Sequence, residues 1–116
     1  MSRVNYKKYG MSQARYEELR AFARQYNELD IERKRLLDGS GSVKENAIKA
    51  ADIKTKLEII DNCIEVACSD IPLLRPYLFK NVTEGTPYHK MQVPLYERGF
   101  ILRRKLFFIE LNKHKK

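Results

Sequence analysis

The C-terminal third of the chain is divided by residues that end one helix and start the next. Gly85 can adopt the left-handed backbone conformation that closes a helix, and Thr86-Pro87 follows it as an N-cap with proline at the first helical position. Val93-Pro94 repeats the signal, because proline disfavours helix in the preceding residue and has the φ angle of a first helical turn. These breaks predict a helix over residues 76–84, a short helix, and a long helix over about residues 95–113. The order is that of a helix-turn-helix, whose last helix enters the major groove of DNA.

Two longer stretches upstream carry apolar residues at alternating steps of three and four. Ser12 is a candidate N-cap for a first helix ending near Asp38, and a second helix is predicted from about Val43 to Ser69. Helices of matched length joined by the short, flexible 38–42 turn should fold back on each other as an antiparallel hairpin. The predicted seam consists of Leu19, Phe22, Tyr26, Leu29 and Leu36 in the first helix and Ala50, Ile53, Leu57, Ile60, Ile64 and Ala67 in the second.

A hairpin of two helices buries only this one seam. Apolar burial yields ~25 cal/mol per Å² and must offset ~1–2 kcal/mol of backbone entropy per ordered residue. One seam is too little for that, so the hairpin needs a further surface. The sequence offers two candidates for it, the C-terminal helices or a second copy of the hairpin.

The last predicted helix is apolar on two opposite sides. One side carries Phe100, Phe107 and Leu111, and the other carries Leu102, Leu106 and Ile109. A helix free on the surface would have one apolar side. One stripe should therefore close the helix-turn-helix core and the other should dock on the hairpin or on a second copy. The sequence does not decide which stripe does which.

The predicted fold class is all-α, a long antiparallel helical hairpin followed by a three-helix helix-turn-helix unit. We expect residues 1–11 to form a basic arm, residues 12–69 the hairpin, and residues 70–116 the helix-turn-helix unit with a basic tail. Asp70 to Pro76 is the expected hinge, because Pro72 and Pro76 cannot both lie inside a regular helix.

Several classes of protein are disfavoured by what the sequence lacks. No apolar run reaches the ~20 residues needed to cross a bilayer, and the first residues lack the apolar core of a secretion signal. We therefore expect a cytoplasmic protein with no membrane partner. Cys63 and Cys68 cannot meet in disulfide geometry on one helix, so we expect them reduced and half-buried.

The sequence also carries no signal of catalysis. A metal site at the cysteines would need two more ligands, and the two histidines stand at unrelated spacings. Gly39-Ser-Gly lacks the lysine and the preceding strand of a nucleotide-binding loop. Glu17 and Glu18 are interpreted as ordinary helix partners of Arg20 and Arg24. We expect no enzyme activity, no metal and no cofactor.

The net charge of +8 is concentrated at the two ends of the chain. Residues 1–10 carry +3, residues 11–89 carry −1 and residues 90–116 carry +6. A basic surface of this kind favours a polyanion such as double-stranded DNA. Lysines at the end of the last helix also suit the negative end of its dipole, which accounts for half of the C-terminal excess.

Candidate DNA contacts lie mostly in the N-terminal half of the last helix. Arg98 could read guanine through its bidentate fork, Glu97 could accept from cytosine, and Tyr96 could pack on a thymine methyl group. Ile101 lies on the same part of the helix. The predicted phosphate contacts are Thr86, Lys90, Arg103, Arg104 and Lys105. For Arg103 and Arg104 the alternative is a structural pairing with acidic residues of the hairpin.

A family resemblance covers most of the chain and is densest in its C-terminal half. The residues that carry it are Tyr6-Lys7-Lys8-Tyr9-Gly10, Gln25-Tyr26, Tyr77-Leu78, Asn81-Val82-Thr83-Glu84-Gly85, Pro87-Tyr88, Val93-Pro94, Phe100, Arg103-Arg104 and Phe107-Phe108. The chain resembles the RinA- and ArpU-like regulators of phages and prophages in Gram-positive hosts. Leu95 stands where such proteins usually have Cys or Ser, and Gly99 departs from the pattern inside the last helix.

The resemblance implies a C-terminal half similar to region 4 of sigma factors and a role in activating phage late or packaging genes. The predicted function is a phage-type DNA-binding transcriptional regulator. Host RNA polymerase and a second copy of the chain are further candidate partners. One alternative is a helical phage protein that acts through protein contacts alone, and another is a packaging adaptor of the small-terminase kind.

Overall fold

The computed structural model describes residues 9–39 and 41–115 of the chain, and these residues are all-α. Residues 1–8, which make up most of the predicted basic arm, lie outside the described residues, as do Ser40 and Lys116. The five α-helices of the described part are α1 (Gln13–Arg24), α2 (Tyr26–Asp38), α3 (Val43–Ala67), α4 (Arg75–Glu84) and α5 (Glu97–His114). Among the residues described, no helix is both long and apolar enough to cross a membrane.

The single first helix predicted from Ser12 to Asp38 is in fact two helices that meet at Gln25. Ser12 caps α1 as expected, because its hydroxyl accepts from the Arg15 backbone N–H at 3.2 Å. The backbone N–H of Gln25 donates to the Phe22 carbonyl, which tightens the last turn and ends α1. The prediction of one continuous helix was wrong, because α1 packs against α4 and α5 whereas α2 packs along α3.

The second predicted helix is confirmed, and α3 begins at Val43 as expected. The Ser42 hydroxyl caps it by accepting from the Glu45 backbone N–H at 3.3 Å. All six predicted seam positions are buried: Ala50, Ile53, Leu57, Ile60, Ile64 and Ala67. The first three form a small cluster with Leu36 of α2, and the last three belong to the main core.

The main core collects side chains from α1, α3, α4 and α5. Phe100, Phe107 and Leu111 of α5 are fully buried in it, so this stripe faces the core. Leu102 and Leu106 of the other stripe remain 45% and 40% exposed. The question left open by the sequence is thereby answered, and in the described structure the second stripe does not dock on the α2–α3 pair.

The cysteines are free and lie deeper than predicted. Cys63 and Cys68 are fully buried in the main core, where a half-buried position was expected. Cys63 lies one turn after Ile60 and next to Ile64, both of which belong to the same core, and only 1% of it is exposed. Burial is also the main reason why the pKa of the Cys63 thiol is raised to about 12.

The breaks in the C-terminal third differ in detail from the prediction. The expected hinge contains a 3-10 turn, Pro72–Leu74, and α4 begins one residue before Pro76. Gly85 closes α4 in the left-handed conformation (φ 78°), as predicted. After it, Pro87 is extended (ψ 155°) instead of helical, and only a 3-10 turn forms, over Tyr88–Lys90.

Two capping predictions in this segment were therefore wrong. Thr86 does not cap a helix through its side chain, because the 3-10 turn that follows has no side-chain cap. The last helix begins at Glu97 instead of Leu95, because Tyr96 is extended (ψ 156°) and acts as the N-cap residue.

Candidate nucleic-acid interface

The start of α5 is held by the 3-10 turn that precedes it. The Tyr88 hydroxyl donates to the Leu95 carbonyl, and its ring lies 5.5 Å, between centroids, from the ring of the buried Phe100. Tyr88 of the turn therefore contacts both Leu95, which precedes α5, and the first large buried side chain of α5. These contacts fix the start of α5 relative to the preceding turn.

The N-terminal half of α5 presents a mixed surface of cations and apolar side chains. Tyr96 is 69% exposed, Ile101 is 51% exposed and Arg98 is exposed. At about 100° per residue, Arg98, Ile101 and Lys105 fall within roughly 60° of one another around the helix. In the described part of the chain, neither Arg98 nor Lys105 forms an ion pair. This surface, with Tyr96, is called the α5 face below.

Glu97 and Lys90 lie at the edges of this face. Glu97 is in the first turn of α5, where a carboxylate suits the positive end of the helix dipole. Lys90 is exposed at the end of the 3-10 turn. Four of the predicted contact residues, Tyr96, Glu97, Arg98 and Ile101, are thus exposed on or beside the α5 face, Lys105 is half-buried there, and Lys90 is exposed on the preceding turn.

Arg103 points away from this face, against the prediction of a phosphate contact. Its side chain is 11% exposed, and its guanidinium forms an ion pair with Asp70 on the segment after α3. A second hydrogen bond, to the Gly99 carbonyl, measures 3.4 Å. The structure shows a structural pairing, as in the alternative, but the partner Asp70 belongs to the predicted hinge and not to the hairpin. Arg103 therefore joins α5 to the rest of the fold and is left out of the candidate interface.

Arg104 is half-buried and held from two sides. Its Nε donates to Asn81 Oδ1 at 3.0 Å, and its guanidinium carbon lies 4.9 Å from the centroid of the Phe108 ring and 5.7 Å from that of Tyr16. Asn81 in turn donates from Nδ2 to the Thr86 carbonyl at 3.0 Å. Asn81 therefore links two of the predicted contact residues, Arg104 and Thr86, beside the C-terminal end of α4.

The sequence analysis did not assign two arginines of α1 to the interface: Arg24, which is close enough to Arg104 to feel its charge, and Arg20, one turn before Arg24. Arg20 and Arg24 were interpreted as partners of Glu17 and Glu18, but Glu18 pairs instead with Arg15. Burial and then the positive charges of Arg20 and Arg104 lower the pKa of Arg24. The i, i+4 spacing of the two arginines could have indicated a shared face, although it could not have indicated Arg104 as a neighbour.

Comparison with known proteins gives no match: no family model, no curated protein and no solved structure is significantly similar to the chain.

Proposed function

We propose that this protein binds double-stranded DNA by placing the N-terminal half of α5 in the major groove. The observation that carries the proposal is the α5 face, where Arg98 and Lys105 have no ion-pair partner in the described residues although acidic side chains are common elsewhere in the chain. Cations without an ion-pair partner on the exposed face of a helix favour a polyanionic ligand. In this proposal α4, the 3-10 turn and α5 serve as the helix-turn-helix.

The side chains of the α5 face divide into two roles. Arg98 would read guanine through its bidentate fork, Glu97 would accept from cytosine, and Tyr96 and Ile101 would pack on thymine methyl groups. Thr86, Lys90 and Lys105 would contact phosphates and set the position of the helix on the duplex. Exposed apolar residues beside exposed cations are the combination that such contacts require.

The regulatory part of the proposal comes from the sequence resemblance. Similarity to RinA- and ArpU-like regulators supports a phage-type transcriptional regulator that activates late or packaging genes in the cytoplasm of its bacterial host. Host RNA polymerase and a second copy of the chain are the protein partners that this role implies.

A second candidate function is supported by an exposed aliphatic stripe of α5 that lies beside the α5 face. Leu102 and Leu106 are both exposed and form an aliphatic stripe next to the α5 face. Contiguous exposed aliphatic side chains favour a protein partner. A helical protein acting only through protein contacts would use this stripe, and so would a ring-forming packaging adaptor of the small-terminase kind. The mass in solution separates these: a monomer or dimer fits a regulator, and eight or more copies fit an adaptor.

The decisive experiment is a titration of the purified protein with duplex DNA at two salt concentrations. We expect binding to random-sequence duplex at low salt that weakens as salt increases, because bound cations release counterions from the phosphates. Selection from a pool of random duplexes should then enrich a preferred site. A parent protein that does not bind duplex at low salt would refute the proposal and favour the protein-contact function.

A further inference from the structure

Two arginines, Arg24 and Arg104, converge at the C-terminal end of α4, and a third precedes Arg24 by one turn of α1. Arg24 of α1 lies against Gly85, where a Cβ atom would come within 2.6 Å of its guanidinium. Arg104 of α5 is anchored on Asn81, one turn before Gly85. Arg20 is one turn before Arg24 on α1, close enough for its charge to lower the pKa of Arg24. The three form the arginine cluster discussed below.

The cluster has room for its guanidiniums because of Gly85. A side chain at this position would overlap Arg24, and the positive φ of 78° already requires glycine for closing α4. Arg104 is kept in place by its hydrogen bond to Asn81 and by the rings of Tyr16 and Phe108. Two helices that are distant in sequence, α1 and α5, therefore hold the positive charges of Arg24 and Arg104 near one another.

No carboxylate neutralises the cluster within the described residues. Among the acidic residues of α1, Glu18 pairs with Arg15, and Glu17 accepts a hydrogen bond from Gln13. None of the three arginines forms an ion pair in the parts of the chain that the structure describes. Arginine is the side chain best suited to oxoanions, because its planar fork matches two oxygens at once.

Capping of α4 is the simpler explanation and accounts for only part of the cluster. A cation near the last turn of a helix is stabilised by the partial negative charge of the free carbonyls. One guanidinium, that of Arg24, is placed to do this. Capping does not explain why Arg104 and Arg20 are added without a carboxylate between them, because each further cation raises the electrostatic cost.

We propose that Arg20, Arg24 and Arg104 form an oxoanion site that holds a phosphodiester group of the nucleic-acid backbone. The identity of the polymer rests on the proposed DNA-binding function, since Arg104 immediately precedes Lys105 of the α5 face and Asn81 connects it to Thr86. A backbone phosphate held here would fix α1 and the end of α4 on the strand beside the groove that α5 enters. The site adds α1 to an interface that otherwise belongs to the C-terminal helices.

The test compares Arg24→Gln with Arg35→Gln in titrations of duplex DNA over a range of salt concentrations. Both variants lose one positive charge, but Arg35 is exposed on α2 and paired with Glu32, far along the chain from the cluster. Arg24→Gln should reduce the slope of log K against log salt by about one unit, and Arg35→Gln should leave it unchanged. Equal slopes for the parent and Arg24→Gln would overturn the phosphodiester assignment.

Two further measurements separate this site from the function itself. Inorganic phosphate, compared with chloride at equal ionic strength, should raise the melting temperature of the parent and of Arg35→Gln but not of the Arg20→Gln/Arg24→Gln double variant. Stabilisation by phosphate without any duplex binding would overturn the nucleic-acid assignment and the proposed function, and would leave a site for free phosphate. Absence of any effect of phosphate that depends on the two arginines would overturn the site, whether or not duplex binds.

Arg24→Lys is the control that separates the loss of a phosphate contact from a change in folding. It keeps the charge and loses the fork, so the salt slope should stay at the parent value while affinity falls severalfold. A slope reduced as far as in Arg24→Gln would contradict a phosphate contact, because the charge has been retained. Arg104 is not used as a test position, since it also packs on Tyr16 and Phe108.

Discussion

The side chain of Leu95 lies over Gly99, so that a Cβ atom on Gly99 would be 2.7 Å from Leu95 Cδ2 and 3.0 Å from Leu95 Cγ. Under the family resemblance expected from the sequence, these two positions are departures from the family pattern. The side chain of Leu95 therefore occupies the space that is left free because Gly99 has no side chain. Gly99 is a buried residue of α5, and the side chain of Leu95 covers it.

Gly99→Ala should lower the free energy of unfolding by about 1 kcal/mol in the parent. Overpacking against Leu95 costs ~1–3 kcal/mol, which exceeds the ~1 kcal/mol that alanine contributes over glycine in a helix. In a Leu95→Ala background the sign should reverse, since the three atoms nearest the added methyl group all belong to the Leu95 side chain and are removed. Denaturant unfolding of the four proteins measures both effects. Stabilisation by Gly99→Ala in both backgrounds would show that the close contact has no energetic role.

Ile60→Asp should unfold the protein or cost at least about 3 kcal/mol, because it places an unpaired carboxylate in the main core. Ile60 is fully buried on α3. Ile48→Asp is the matched control on the same helix, since Ile48 is exposed and the change should alter the melting temperature little. Circular dichroism on heating reports both. If Ile60→Asp melts like the parent, α3 does not face the core at this position.

Arg103→Ala should destabilise the fold by about 1–2 kcal/mol without changing the salt dependence of DNA binding. This loss of stability is the one expected for a charge-assisted hydrogen bond, taken at its lower end because solvent screens the largely exposed Asp70. Arg98→Ala is the control, since Arg98 has no ion-pair partner in the described residues and its loss should leave stability unchanged. A salt slope reduced by Arg103→Ala, with stability intact, would restore Arg103 to the interface.

Stability should decline at alkaline pH, starting near pH 9. Burial is the main cause that raises the pKa of Cys63 from 9.0 to about 12 and that of Cys68 to about 11, and it raises the pKa of Tyr26 from 10.0 to about 12. For Tyr26 the hydrogen bond to Asp61 acts in the same direction. The folded state thus favours the protonated forms, so their contribution is complete below the ordinary pKa values and is lost as pH rises through 11–12.

The measurement is the denaturant midpoint between pH 7 and pH 12. In a Cys63→Ala/Cys68→Ala variant only Tyr26 remains of these three groups, so the decline should begin about one pH unit higher, near pH 10. Buried thiols of raised pKa should also react with a thiol reagent only as fast as the protein opens. Rapid labelling of both cysteines at pH 8 under native conditions would contradict their burial.

Sequence specificity and general affinity for DNA should depend on two different residues of the α5 face, Arg98 and Lys105. Arg98→Ala should lose about 1–3 kcal/mol on a selected preferred site and little on scrambled duplex, because a base-reading fork acts only on the right base. Lys105→Ala should weaken binding to both duplexes alike and reduce the salt slope by roughly 0.9. A uniform loss in Arg98→Ala would assign Arg98 to a phosphate instead of a base.

The elements that the sequence predicted well are those set by local patterns. The period of the apolar residues indicated α3 and its buried side, and glycine at the end of α4 indicated the left-handed closure at Gly85. The break at Gln25 left no such trace, since the apolar period runs through it without proline or glycine. It arises from packing, because α1 and α2 belong to different clusters of the core.

The candidate site was predicted less completely because its contacts span large separations in sequence. The pairing of Arg103 with Asp70 joins residues 33 positions apart, and spacing within one helix cannot show it. Arg20 and Arg24 were interpreted as ordinary helix partners of Glu17 and Glu18, whereas Glu18 pairs with Arg15. Both apolar stripes of α5 fitted a buried role, and only the packing distinguishes them.

The unbroken length of α3 determines how the ends of the molecule are coupled. Its first turns pack in the small cluster with α2, its last turns belong to the main core with α5, and its 25 residues form one uninterrupted α-helix. An α-helix of that length is roughly 37 Å long. A partner that binds the N-terminal end of α3 is therefore connected to the core under α5 by one continuous helix with no loop in between.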